Sequence, residues 1–243
     1  MKKIRADVLL VERGLCPSRE RAKAEIMAGR VFVGSCRVGK ASETFLPDVD
    51  IRIDGGEPYV SRAGRKLEHA LKYFDILPEG WVCLDIGAST GGFTDCLLKH
   101  GAVHVTALDV GHSQIAWSLR QDRRVRVIEH YNARFLSAGD FDCAFDLIVM
   151  DVSFISQKLI HPVLKPLLKP QGKLVSLIKP QFEAKRKEVG RGGIVRDETI
   201  WKRVCDEVTE SVRREGFVVY GVIESPILGG DGNREFLLAA ESA

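Results

Sequence analysis

The run Asp85-Ile-Gly87-Ala-Ser89-Thr-Gly91-Gly92-Phe93 follows an apolar stretch and opens a helical pattern. Glycine at such a turn lets backbone approach a ligand closely. Asp109 closes the next apolar run, 24 residues after Asp85, where an acid that holds ribose hydroxyls belongs. The spacing Gly87-x-x-x-Gly91-Gly92 is not the G-x-G-x-x-G of dinucleotide folds, and no Gly-Lys-Ser/Thr follows to grip phosphate. A glycine-rich turn alone also serves dinucleotides, or no ligand at all.

Four charged residues stand at other predicted element ends. Asp151 closes the run 147–150, and Lys179 closes the run 174–178 just before Pro180. Glu235 opens the last apolar run, and Lys66 lies on a helical pattern before the first. Each has a plain alternative: a solvated Lys66, a helix-capping Asp151, a Lys179–Glu183 pair, an edge-strand Glu235. Loops after parallel strands share one rim, where ligands bind. A last strand running antiparallel would begin at that rim, so the four could converge beside the glycine turn.

The elements that must position them follow from periodicity. Leu67, Ala70, Leu71 and Phe74 recur at helical spacing, predicting an amphipathic helix over 62–75. Apolar runs at 82–86, 103–108, 125–128, 147–150, 174–178, 218–223 and 236–239 predict strands. Helices are expected at 92–100, 112–120, 156–168 and 198–215. Alternating strand and helix predict an α/β fold, a parallel, doubly wound sheet with helices on both faces; with the last strand taken as antiparallel, the expected sheet is Rossmann-like and mostly parallel. The expected domains are 1–55, a linker at 56–60, and 61–243.

The first 55 residues read as a small α+β module. Asp7 and Ser18 are expected to cap two helices that Gly14 and Gly29 end, and Val31–Val33 and Val49–Ile53 to form strands. Residues 1–40 hold ten Lys/Arg against four Asp/Glu, a local +6 on a chain of net charge +3. That suits a polyanion-binding module or a solvated charged surface. Arg19 and Lys23 share a helix face. Six scattered cysteines predict free thiols, and neither they nor the six histidines form a metal-ligand cluster. No signal peptide or spanning apolar run is visible, which predicts a cytoplasmic protein without a membrane partner.

The string Arg5-x-Asp7, Gly14, Ser18-Arg19-x-x-Ala22, Ile26-x-x-Gly29-x-Val31-x-Val33 resembles the S-four RNA-binding domain. It departs from the usual pattern at Ala6 and at Gly34-Ser35. The glycine turn resembles the first motif of S-adenosylmethionine methyltransferases, with Ser89 where many have glycine. Lys66, Asp151, Lys179 and Glu235 resemble the catalytic tetrad of FtsJ-type RNA ribose 2'-O-methyltransferases. Ser61-Arg62-x-Gly64-x-Lys66-Leu67, Asp151-Val-Ser-Phe-Ile-Ser156 and Gly232–Phe236 narrow the resemblance to the TlyA family, with Ala63 replacing a common glycine.

The resemblance implies methyl transfer from S-adenosylmethionine to a cytidine 2'-hydroxyl in ribosomal RNA, by a monomer acting on rRNA or a ribosomal subunit. The short form of the family, which this chain resembles, implies large-subunit rRNA. Asp85, Gly87, Ser89, Gly91, Asp109 and Asn132 are then expected at the cofactor, although Asn132 could equally cap a helix. Arg5, Arg19, Lys23, Arg30, Arg62 and Arg65 are expected on RNA, with a mobile basic loop at Lys185–Arg191. Lys179 is the expected base, tuned by Lys66. The competing classes are an oxidoreductase, disfavoured by the glycine spacing; a membrane-active haemolysin, disfavoured by the lack of a spanning or long apolar amphipathic segment; and a noncatalytic RNA-binding protein, which leaves the four charges unexplained.

Overall fold

The computed structural model describes residues 3–34, 36–53 and 58–243. The chain divides into two compact units, Met1–Pro58 and Tyr59–Ala243. Ser35 of the expected turn, and residues 56 and 57 of the expected linker, lie outside the described residues.

The first unit comprises β1 (Ile4–Arg5), α1 (Ala6–Glu12), α2 (Arg19–Met27), β2 (Val31–Val33), β3 (Cys36–Arg37), β4 (Thr44–Phe45) and β5 (Ile51–Ile53). β1 pairs antiparallel with β4, and β2 lies between β3 and β5. Leu9, Leu10, Ala22, Ile26 and Val31 form its core. Gly14 (φ +68°) and Gly29 (φ +71°) take the left-handed turn after each helix, as expected. Ser18 caps α2, its Oγ accepting from Arg21 N at 3.2 Å.

Asp7 does not cap α1. It is fully buried and binds two arginines: Arg5 through Nε at 3.0 Å and Nη2 at 3.2 Å, and Arg19 through Nη2 at 2.9 Å. The N-cap position is Arg5, which makes no side-chain cap. Glu25, also buried, pairs with Arg21 at 2.7 Å and Arg30 at 2.5 Å. A carboxylate lacking a partner would be costly in such a place, so its outward-facing arginines are what allow it there.

The second unit comprises α3 (Ala63–Tyr73), β6 (Val82–Ile86), α4 (Gly92–Lys99), β7 (His104–Leu108), α5 (Trp117–Arg120), β8 (Val125–Ile128), β9 (Phe145–Met150), α6 (His161–Leu164), β10 (Leu168–Ile178), α7 (Pro180–Glu183), α8 (Glu198–Arg214), β11 (Phe217–Glu224) and β12 (Phe236–Ser242). Its sheet has the order β11-β12-β10-β9-β6-β7-β8. β12 alone runs antiparallel, to both β10 and β11. Strand alternation sends Leu147 and Val149 to the core under α3 and α4, and Ile148 and Met150 to the core under α6 and α8. In α8, Val204, Val208 and Val212 recur every four residues and are fully buried.

Two expected helices shrink. Only Trp117–Arg120 of 112–120 is α-helical. The stretch 156–168 breaks into short 3-10 turns around His161–Leu164, with prolines at positions 162 and 166. No helix among the described residues is long and apolar enough to cross a membrane. All six cysteines are free thiols, and no group of three metal-ligating side chains occurs among the described residues.

The Asp7 cluster predicts a pH effect. The bonds from Arg5 lower its carboxyl to about 2, against the opposing effect of burial and with help from Arg19. Because the folded value lies below the ordinary 3.8, its stabilisation is present above that value and is lost as pH falls toward 2. Asp7→Asn should cost on the order of 1–2 kcal/mol at neutral pH, the half-exposed arginines screening the full linkage value. The difference from wild type should vanish between pH 4 and 2 (roughly the window of the two pKa values). Urea unfolding of the full chain, with amide exchange over α1 and α2, measures it; a pH-independent difference would remove Asp7 from the linkage.

Candidate active site

β6 delivers Asp85 to the sheet interior and then turns sharply. Gly87 has φ +82°, and a Cβ there would stand 2.5 Å from Asp151 O. Gly87 N and Ala88 N donate to Leu108 O, and Asp151 N donates to Ile86 O at 2.9 Å. The turn is thereby wedged between the ends of β7 and β9. Gly91 has φ +93°, and a Cβ there would strike Leu119 at 2.3 Å. Ser89 takes φ +49°, a conformation that favours glycine. That backbone shape sends Ser89 N to Asp109 Oδ2 at 2.8 Å, while Gly111 N donates to Oδ1 at 2.7 Å.

A cavity of about 520 Å³ opens here, lined among others by Gly87, Ser89, Asp109, Asn132 and Asp151. That volume suits a nucleoside-sized ligand. Each Asp109 oxygen keeps a second lone pair for a hydroxyl. Asn132 lines the cavity, and its Oδ1 accepts from Arg134 N at 3.1 Å as the cap of a 3-10 turn. Asp85 is fully buried; Oδ2 accepts from Thr94 Oγ1 at 2.7 Å, and Oδ1 has no partner. Burial pushes its carboxyl up to about 7, opposed by the Thr94 bond and reinforced by Asp151 and Asp109. A cavity lined by the carboxylates of Asp109 and Asp151 and by a glycine cradle fits the cationic, ribose-bearing S-adenosylmethionine.

The four charged residues resolve into two ion pairs. Lys66 and Glu235, both buried, bind each other. Lys66 lies on the inner side of α3 with Leu67, Ala70 and Leu71, so it is not a solvated helix residue. Lys179 Nζ lies 2.5 Å from Asp151 Oδ1. That contact is an ion pair without hydrogen-bond alignment; the aligned bond runs from Nζ to Ser153 Oγ at 2.8 Å. The register Ile178↔Phe236, continued by one residue, sets Lys179 opposite Glu235. The two pairs therefore stand on neighbouring strand ends.

Several neighbours carried no signal strong enough to single them out. Ser153 is one. Phe154, 91% exposed with φ +64°, packs against Phe182 with ring centroids 5.0 Å apart and planes tilted by 51°. The Phe182 ring centroid is 6.0 Å from Lys179 Nζ. Glu183 does not pair with Lys179; it binds Ser156 and Gln157. Asn233, buried, accepts from Val195 N and donates to Gly193 O, both at 3.0 Å. With the Arg203–Glu188 ion pair at 2.5 Å, it anchors the basic loop that sequence reading took as mobile. Lys185, Arg186, Lys187 and Arg191 are exposed on it. Of the expected RNA ligands, Lys23 and Arg62 are exposed, Arg65 is half-buried, and Arg5, Arg19 and Arg30 are tied to carboxylates.

Residues 59–242 match the FtsJ-like methyltransferase family, and residues 4–51 match the S4 domain. The chain is 48% identical to YqxC of Bacillus subtilis over 98% of its length and 85% of that protein's. It is 41% identical to the 16S/23S rRNA (cytidine-2'-O)-methyltransferase TlyA of Mycobacterium tuberculosis, covering 98% of this chain and 89% of that one. It is 35% identical to the 23S rRNA (cytidine-2'-O)-methyltransferase TlyA of Campylobacter jejuni, covering 81% and 79%. A solved structure from Streptococcus thermophilus, 45% identical, superposes with a TM-score of 0.76 over 100% of this chain and 90% of that one.

The two left-handed positions of the turn predict opposite responses. Gly87→Ala forces a Cβ against Asp151 O and should destabilise the fold by about 1–3 kcal/mol. Ser89→Gly keeps the N–H bond to Asp109 and relieves a strained conformation, so stability should change by less than about 1 kcal/mol. Chemical denaturation of both variants tests this. Equal tolerance at Gly87 would mean that the wedge against Asp151 can move.

Proposed function

The chain belongs to the FtsJ-like methyltransferase family, in its TlyA branch with an N-terminal S4 domain; from that premise we propose that it methylates a cytidine ribose 2'-hydroxyl of ribosomal RNA, using S-adenosylmethionine. The observation that carries this is the pairing of Lys179 with Asp151 and Ser153 at the lip of a cavity that ends in Asp109. The two relatives named for their substrate share 23S rRNA, so large-subunit rRNA is the proposed target.

S-adenosylmethionine, when bound, supplies an electrophilic sulfonium methyl. Gly87, Ser89 and Gly91 would form the cradle, Asp109 would hold the ribose hydroxyls, Asn132 would border the adenine side, and Asp85, buried beneath the turn, ties the end of β6 to α4 through Thr94. Lys179 Nζ orients the acceptor 2'-hydroxyl in line for displacement. Lys179 acts as base once its ammonium has released a proton to solvent: its neutral Nζ then takes the proton that the oxygen loses. Lys66 and Glu235 fix the neighbouring strand end. Phe154, exposed and backed by the half-buried Phe182, offers a face on which a base can stack. The first unit binds rRNA through its arginines and Lys23, and Arg62, Arg65 and the basic loop add phosphate contacts.

Mapping ribose methylation on both ribosomal RNAs, with and without the protein, tests the substrate. Lys179→Ala should slow single-turnover transfer by on the order of a hundredfold to ten-thousandfold at saturating cofactor and RNA. Lys179→Arg keeps the charge but cannot readily exchange the proton; near-normal transfer there would remove only the proton-accepting role. Asp109→Ala should abolish S-adenosylhomocysteine binding by calorimetry.

Charge reversal at Lys23 and Arg19 should weaken rRNA binding and flatten its salt dependence, leaving cofactor affinity unchanged. Unaltered binding across several salt concentrations would reduce this face to solvated surface.

A further inference from the structure

We propose that Glu183 is a positioning residue for methyl transfer, clamping the loop that carries Asp151 and Ser153 to the helix that begins at Lys179. This rests on the reading of Lys179 given above.

Three observations carry it. The Glu183 side chain is 2% exposed. Its Oε2 accepts from Ser156 Oγ at 2.5 Å, and its Oε1 accepts from Gln157 N at 2.7 Å. Both carboxylate oxygens thus bind one segment, although Lys158 Nζ stands 3.9 Å away and is engaged by Glu207 at 2.9 Å.

The position of that segment gives the clamp its meaning. Residues 151–157 leave β9, bear Asp151 and Ser153, and pass through Phe154 in a left-handed conformation. Such a shape persists only where its surroundings over-determine it. At its near end the loop is held by Asp151 N on Ile86 O. At its far end it is held by Glu183. Glu183 itself lies on α7, a four-residue helix whose N-cap is Lys179. One side chain therefore joins the two short segments between which Lys179 Nζ contacts Asp151 and Ser153. Gln157 Nε2 adds a long contact at 3.5 Å to Leu177 O, near the end of β10.

Loosening such a clamp lets the lysine and its partners drift without removing any of them. A misplacement of about 1 Å at a reacting group can cost on the order of a hundredfold in rate. Glu183→Ala is expected to lower single-turnover transfer tenfold to a hundredfold, with S-adenosylhomocysteine affinity and rRNA affinity within about threefold of wild type. Glu183→Gln keeps an oxygen for Gln157 N and can donate to Ser156 Oγ, so it should recover most of the rate. Ser156→Ala removes one of the two bonds and should fall between; it also carries the test if Glu183→Ala does not fold.

The double variant Lys179→Ala/Glu183→Ala separates positioning from general support. If Glu183 acts through Lys179, the double variant transfers methyl no more slowly than Lys179→Ala alone. Multiplying losses would overturn the proposal, and so would a folded Glu183→Ala with near-normal transfer. Lys179→Ala retaining full activity would instead sink the underlying reading, and the two failures are distinct.

Discussion

Lys66 and Glu235 are 169 residues apart in sequence, yet each is the other's buried counter-ion. Burying one charge without the other would be strongly unfavourable, whereas burying both is roughly balanced between desolvation and attraction. The pair therefore adds little net stability, but it forbids alternatives. α3 must lie where its inner side meets the start of β12, and β12 must begin at the ligand-binding rim. An antiparallel last strand achieves this, because it enters the sheet where the parallel strands end. Its register with β10 then sets Lys179 opposite Glu235.

The strand ends were legible because buried strands read as continuous apolar runs, and a charge that closes such a run stands out. Lys179 after Leu177-Ile178, and Asp151 after Val149-Met150, are cases in point. The α/β class followed from the same runs; the direction of β12 did not, because an apolar run carries no strand direction. Partner choice was not legible: Lys66 with Glu235 depends on how α3 crosses the sheet, and Lys179 with Asp151 depends on β9 and β10 being parallel neighbours, and no local spacing encodes either. The Lys179–Glu183 alternative looked reasonable at a separation of four residues, but Lys179 is extended and outside the helix, so helical spacing does not apply. Ser153, Glu183 and Asn233 act through hydrogen bonds across loops, which leave no periodic trace.

The shortened helices have a similar origin. Apolar residues over 112–120 and 156–168 mimic a helical face, but these segments border the cavity or connect to it. His161 in the second is fully buried, and burial lowers it to about 4, so it remains neutral at physiological pH. It shares its ring nitrogens with Ser211 Oγ at 2.8 Å and Gln157 Oε1 at 3.4 Å. Packing of a polar side chain, rather than helix propensity, sets the path there. Such local departures from sequence pattern cluster where a chain does its work.

Charge counting at the N-terminus has the same limitation in another form. The local +6 treats all ten cations alike, but Asp7 and Glu25 each hold two arginines, leaving one net positive charge per trio. The +6 already subtracts both acids, so the pairing redistributes the charge without lowering it, and it does not make the surface a poorer phosphate ligand. A guanidinium has five N–H donors, and a carboxylate occupies at most two of them. Held from behind by a buried carboxylate, Arg5 and Arg19 keep their remaining donors outward at 44% and 50% side-chain exposure. Part of the rotamer entropy that a free arginine would lose on binding is already lost in the fold. The buried acids thus supply preorganisation on a surface whose net charge remains the local +6, and the salt dependence of binding should reflect that net charge rather than the count of ten cations.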